Sequence, residues 1–206
     1  RALYAGIDRM VTLATCLDDV PANLEIATHP AVHACIGIHP CDVHHAPDDA
    51  PEQLAALVTD PRVCAIGETG LDYYHPAPEG WTDENLRERE RHFLERHFQL
   101  ASKAQLNVVI HTRDAWDDTF RVLVDEGVPR RTVFHCFTGG ASEAERALAL
   151  AERSVSLHEA HGSGHGLAVA LATLDVFAEE QTLAGLVPKI ARLREHLARI
   201  AQHPLV

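Results

Sequence analysis

His39, Glu68, His111 and His135 share one sequence setting: each ends or closely follows a short apolar run. The runs are Cys35-Ile36-Gly37-Ile38-His39-Pro40, Val63-Cys64-Ala65-Ile66-Gly67-Glu68, Val108-Val109-Ile110-His111 and Val133-Phe134-His135. A buried parallel strand reads as a continuous apolar stretch, and α/β folds place their chemistry at the C-terminal ends of such strands. One histidine among the fifteen of this chain means little. Four such tips in succession, with a carboxylate among them, point to an enzyme site, because an unpaired charge ending an apolar strand is costly.

The chemistry follows from the ligand types. Imidazole and carboxylate bind borderline or hard divalent ions such as Zn²⁺, Mn²⁺ or Mg²⁺. Glu68, His111 and His135 at neighbouring strand ends are expected to hold such an ion, and an open coordination position would lower the pKa of a bound water.

The elements between these tips alternate regularly. Ile7–Leu17 reads as a strand, followed by a short helix from Pro21. Pro51 opens a helix to Thr59, since its missing N–H would be unpaired in the first turn anyway. Gly70–Gly80 reads as a long loop. Thr82 caps a helix reaching about Gln105, with Leu86, Phe93, Leu94, Phe98 and Ala101 on one stripe. Trp116–Glu126 is helical and Gly127 closes it. Ser142-Glu143-Ala144-Glu145 reads as a capping box opening a helix to about Arg153. Strands alternating with helices imply parallel βαβ units. No G-x-G-x-x-G follows the first strand, and G-x-x-x-x-G-K-[ST] is absent. Site residues spread over several strand ends favour a (β/α)₈ barrel.

Composition bounds the function. A net charge of −12 argues against a broad electrostatic platform for nucleic acid, although metal ions and a few arginines suffice to meet a phosphate. No run of about 18 apolar residues is present, so no membrane span is expected. The five cysteines include no C-x-x-C, and most lie in or beside apolar runs, which reads as a reducing, cytoplasmic protein. The chain starts on Arg1 and ends on Pro204-Leu205-Val206, which suits a fragment.

The segments Gly37-Ile38-His39-Pro40, Gly67-Glu68-Thr69-Gly70-Leu71-Asp72-Tyr73-Tyr74, Val109-Ile110-His111-Thr112-Arg113-Asp114-Ala115 and Val133-Phe134-His135-Cys136-Phe137-Thr138-Gly139 resemble, in order and spacing, the TatD family of metal-dependent hydrolases. The likeness covers about residues 1–156. It implies a TIM barrel that binds divalent metals and hydrolyses phosphodiesters, with DNA as substrate. By motif, Glu68 would bridge the metals and His111 and His135 would be ligands. His39 and Arg113 would lie near the scissile phosphate, with Asp72 and Asp114 as supporting groups. A guanidinium suits that place, since it pairs well with phosphate oxygens.

The chain departs from that family twice. It contains neither the H-x-H pair of the family's opening strand nor the late Glu-Thr-Asp whose Asp serves as ligand and base. Strands two to six of the barrel are recognisable, so the fold expected is an incomplete α/β barrel with a C-terminal helical tail, and its nuclease activity is expected to be impaired. The rival readings are a non-catalytic metal-binding remnant or interaction module, and an amidohydrolase-like enzyme acting on amides or esters.

The remainder, residues 157–206, reads as a separate helical tail. Its Leu167–Leu183 and Pro188–Ile200 stretches are similar to a segment of class III aminotransferases, closest to the diaminopelargonic acid enzyme. The segment contains neither that family's pyridoxal-phosphate lysine nor the acidic partner of the pyridine nitrogen, so no pyridoxal phosphate is expected. His158-Glu159-Ala160-His161 is one residue short of H-E-x-x-H, and glycines at 162, 164 and 166 disfavour a helix there. A gene fusion, an assembly error and a frameshifted reading all fit this chimeric pattern.

Overall fold

The computed structural model describes residues 7–127, 129 and 131–159. Five strands form one parallel sheet in sequence order: β1 (Met10–Leu13), β2 (Val32–Ile36), β3 (Val63–Asp72), β4 (Asn107–Arg113) and β5 (Thr132–Phe134). Each connection carries a helix, namely α1 (Val20–Ile26), α2 (Ala50–Ala55), α3 (Asp83–Ala104) and α4 (Trp116–Asp125), and α5 (Ala141–Glu159) follows the last strand. The expected βα alternation is present. Among the described residues the sheet does not close into a barrel, since β1 and β5 each pair on one side only. The helical tail expected beyond residue 156 lies almost wholly outside the described residues; α5 itself runs on to Glu159.

Helix α3 packs its predicted stripe on the sheet: Phe93, Leu94, Phe98 and Ala101 are buried beside Ile66, Leu71, Val108 and Ile110 of β3 and β4. Full burial of each such large side chain contributes about 1.5–3 kcal/mol. The N-terminus is capped as expected, with Thr82 Oγ1 accepting the Asn85 N–H at 3.2 Å. Asp83 and Glu84 in the first turn complement the helix dipole.

Strand β4 shows how the sheet divides its labour. Val108, Ile110 and Thr112 are buried, whereas Asn107, Val109, His111 and Arg113 are only partly so. Alternation along the strand therefore puts Val108 and Ile110 under the helices and leaves His111 and Arg113 together on the opposite face.

Three local expectations are corrected. The first strand is shorter than Ile7–Leu17, because Asp19 Oδ2 accepts from both the backbone N–H and the hydroxyl of Thr15 and turns the chain out of the ladder. Strand β3 does not end at Glu68. Thr69 through Asp72 continue to pair with Ile110 through Arg113, so the long loop begins after Asp72. At the start of α5, Glu143 rather than Glu145 reaches back, its Oε2 accepting the Gly140 N–H at 2.8 Å. The helix begins at Ala141, and Ser142 is inside it.

Candidate metal centre

Glu68 lies in the interior of β3, yet its side chain reaches the polar face because the strand bulges there. Ile66 pairs with Val108 and Thr69 with Ile110, so Gly67 and Glu68 together stand opposite Val109. A bulge of this kind re-aims a side chain next to a functional site. Gly67 permits it: its φ is +142°, and a Cβ would sit 2.4 Å from the Val109 carbonyl oxygen.

Two consecutive carbonyls at the end of β1 hold the neighbouring tips. The Ala14 oxygen accepts the Glu68 N–H at 3.3 Å and the Thr15 oxygen accepts the His39 N–H at 2.8 Å. His39 therefore sits beyond β2, where it caps the short 3-10 turn Pro40–Asp42, its Nδ1 accepting the Cys41 N–H. His135 follows β5 directly and is tied to the sheet by its N–H, which donates to the Ile110 oxygen at 2.8 Å.

These anchors bring four of the sequence-singled residues together. Glu68 Oε1 lies 2.9 Å from His135 Nδ1 and 3.5 Å from His111 Nδ1. The His39 and His111 rings meet edge-on with centroids 4.4 Å apart. One donor atom each from His39, Glu68 and His111 falls within 4.8 Å of the others. Asp72 joins from the end of β3, its Oδ2 2.9 Å from His111 Nε2, while its Oδ1 accepts the backbone N–H groups of Tyr74 and His75. Arg113 lies on the same face of β4 as His111 and stacks its guanidinium 3.5 Å from the centroid of the Tyr74 ring. Asp114 is exposed, with φ of +53°, and makes no hydrogen bond or ion pair among those of the described residues.

The charges are mutually adjusted. Burial opposes ionisation of Glu68, but its hydrogen bonds with His111 and His135 outweigh that and hold its pKa down at about 2. Burial likewise disfavours a charged His111, yet Glu68 and Asp72 raise its pKa above the ordinary value. His39 goes the other way, lowered by burial and then by the neighbouring His111. An acidic carboxylate between two histidines, with a third histidine adjacent, is a donor set suited to a divalent cation.

Two residues behind the site were not singled out from the sequence. Glu90 of α3 is 1% exposed, and its Oε2 accepts the Asp72 N–H at 3.0 Å. Burial, reinforced by the Asp72 charge, pushes its pKa up to about 8, so it is largely protonated at neutral pH. His97, fully buried, has its Nε2 accept the Ile38 N–H at 3.2 Å, and its Nδ1 lies 2.6 Å from the Phe93 oxygen. Nε2 being the acceptor, Nδ1 carries the proton and donates. It thus braces the residue before His39. Both fall on the spacing of the apolar stripe of α3, and polar residues on a buried stripe were the available signal.

Among the described residues no helix is long and apolar enough to cross a membrane, and all five cysteines are free thiols.

The metal-dependent hydrolase TatD of Mycobacterium tuberculosis, described as uncharacterized, is 34% identical over 146 residues, which are 70% of this chain and 54% of the relative. The 3'-5' ssDNA/RNA exonuclease TatD of Cronobacter turicensis is 34% identical over 152 residues, 72% of this chain and 55% of the relative. The crystal structure of YjjV, a TatD homologue from Escherichia coli, superposes with a TM-score of 0.64 at 29% identity, covering 73% of this chain and 56% of that one. A TatD family hydrolase from Entamoeba histolytica shares the fold with a TM-score of 0.63 at 24% identity, over 73% of this chain and 52% of its own. The chain thus spans just over half the length of these relatives. A sequence profile described as TatD related DNase matches residues 1–163, and on that match over most of its length the chain belongs to the TatD family.

Proposed function

We propose that these residues form the larger part of the metal site of a divalent-metal-dependent phosphodiesterase acting on DNA. The observation that carries the reading is the meeting of His39, Glu68, His111 and His135, which lie in or just after four successive strands, on one face of the sheet. Glu68, His111 and His135 are the metal ligands in this reading. A divalent ion held there would supply Lewis acidity toward a phosphoryl oxygen and acidify a water.

The side chains divide the remaining work. Glu68 stays ionised at any working pH, given a pKa held at about 2. Asp72 accepts from His111 and fixes its ring, the role of an outer partner to a metal-binding histidine. His39 and Arg113 flank the place of the scissile phosphate. The Tyr74 ring holds the Arg113 guanidinium in one orientation, which favours paired contact with phosphate oxygens and speaks for a phosphodiester over an amide. The relatives named as exonuclease and deoxyribonuclease support a nucleic-acid substrate.

These residues contain no Glu-Thr-Asp to provide the family's general base. General-base catalysis contributes typically about 10²–10⁴-fold, so turnover by the 206-residue chain alone is expected to be weak. The test is divalent-ion-dependent shortening of single-stranded DNA, with a chelator control. Weak hydrolysis abolished by Glu68→Gln and by His111→Ala supports the reading; turnover indifferent to both substitutions refutes it.

A further inference from the structure

Around Asp72 lies a second group of ligand-type side chains, of which the reading above uses Asp72 alone, as the partner of His111. Cys41 comes from the 3-10 turn after His39, Asp72 from the end of β3, and His75 from the loop beyond it. Their donor atoms are mutually close. Cys41 Sγ lies 3.8 Å from His75 Nδ1 and 3.9 Å from Asp72 Oδ2, and His75 Nδ1 lies 3.1 Å from Asp72 Oδ1.

A thiol, an imidazole and a carboxylate also suggest a nucleophile with its base and orienting acid. The geometry argues against that. A relay needs the imidazole to face the thiol through one nitrogen and the carboxylate through the other. Here both neighbours lie against the same nitrogen, Nδ1. Three donors that converge on one point, rather than lining up in series, are the arrangement of a metal site.

The dimensions fit. Zinc bonds of about 2.3 Å to sulfur and about 2.0–2.2 Å to nitrogen or oxygen, at tetrahedral angles, separate the donors by roughly 3.3–3.6 Å. With one donor atom taken from each residue, the three lie within 4.8 Å of one another, and adjustment of the two surface side chains closes the difference. The third donor is already placed. Asp72 is 3% exposed, and the Tyr74 and His75 N–H groups hold its Oδ1 from the backbone. Cys41 and His75 are exposed, so the ion would enter from solvent and keep an open position.

We propose that Cys41, Asp72 and His75 form a second metal site, selective for a thiophilic divalent ion of the zinc class. The thiolate sets the selectivity, since soft sulfur favours zinc and cobalt over magnesium. The site shares Asp72 with the His111 side of the first centre, yet it needs neither Glu68 nor His135.

Cobalt(II) titration of the intact chain tests this. The expected result is a thiolate-to-cobalt charge-transfer band in the near ultraviolet, saturating at one ion and discharged by zinc but not by excess magnesium. Cys41→Ser should abolish the band, and His75→Ala should weaken cobalt binding by at least ~10–100-fold, no less than the loss of an outer-shell partner costs. Cys136→Ser is the decisive control, because that thiol lies 3.7 Å from His135 Nε2 at the first centre. The band should survive both Cys136→Ser and Glu68→Gln. Absence of the band, its persistence in Cys41→Ser, or its loss in Cys136→Ser or Glu68→Gln overturns the proposal. Magnesium- or manganese-dependent hydrolysis by the unaltered chain reports on the first centre separately, so failure of one reading does not mimic failure of the other.

Discussion

Glu68 Oε1 and His135 Nδ1 are 2.9 Å apart, although β4 lies between β3, which carries Glu68, and β5, which His135 follows. The contact spans the sheet's polar face and passes beside His111, whose Nδ1 is 3.5 Å from the same oxygen. A single carboxylate oxygen thus gathers two histidines from different strands. Manganese binding, measured by calorimetry, should fall by at least ~10–100-fold in Glu68→Gln and in His135→Ala. Binding should also weaken as pH falls through the raised pKa of His111, well before Glu68 itself protonates, since a protonated imidazole cannot ligate. Affinity unchanged in Glu68→Gln would place the ion elsewhere.

Arg113→Lys keeps the charge but loses the planar fork and its stacking on Tyr74. If the guanidinium meets the phosphate, hydrolysis should drop by about 10²-fold, the scale on which removal of one transition-state donor acts. Manganese affinity should stay as it was. A variant that binds metal poorly while its residual activity per bound metal is intact contradicts this assignment.

Gly70 has φ of +150°, and a Cβ built there would lie 1.8 Å from the His111 carbonyl oxygen. Since that atom is backbone, the neighbour cannot swing aside. Gly70→Ala should lower the urea midpoint by the equivalent of at least about 1–3 kcal/mol, the range for such strained positions, and weaken metal binding because β3 and β4 must separate beside His111. Wild-type stability in this variant would mean that the two strands do not approach as described.

Glu90 accepts the Asp72 N–H from a buried position and is held mainly in its protonated form. Glu90→Gln retains an acceptor of the same shape and needs no proton on folding, so it should match the parent at acid pH and exceed its stability at pH 7. Glu90→Ala leaves the N–H unpaired and should be less stable than Glu90→Gln by about 1–3 kcal/mol. The pH dependence has a definite sign. The folded-state pKa of about 8 exceeds the ordinary 4.5, so the folded state binds more protons between them and stability falls as pH rises across that window. Glu90→Gln should flatten that slope in denaturation curves recorded at several pH values.

His97 gives the opposite slope. Burial depresses its pKa from 6.5 to about 4, so the unfolded chain binds the extra proton between those values. Stability should therefore rise with pH from about 4 to 6.5, by on the order of 3 kcal/mol for a shift of this size, and level off above. Protonation would also remove the acceptor for Ile38 N–H and loosen the approach to His39. His97→Gln should reduce the slope in this acid window, and an unaltered acid limb would show that other groups control it.

Apolar runs and helix signals were enough to read from the sequence alone the alternation of elements, the stripe of α3 and the four tips His39, Glu68, His111 and His135. These are local properties: an apolar run followed by a polar residue, a Thr82 cap, a repeat of large side chains every three or four positions. What depended on neighbours was not legible. Strand β3 continues past Glu68 because β4 offers four further partners, and Glu68 faces the site because a bulge against Val109 turns it, so one strand had to be paired with another before either fact existed. Glu90 and His97 read as ordinary members of a charged helix until the sheet covered them and left their polar atoms to Asp72 and Ile38. Cys41 and His75 gain meaning only beside Asp72. Sequence order determines which side chains are available, whereas the distances between donors on different strands arise only when the sheet forms, and metal chemistry depends on those distances.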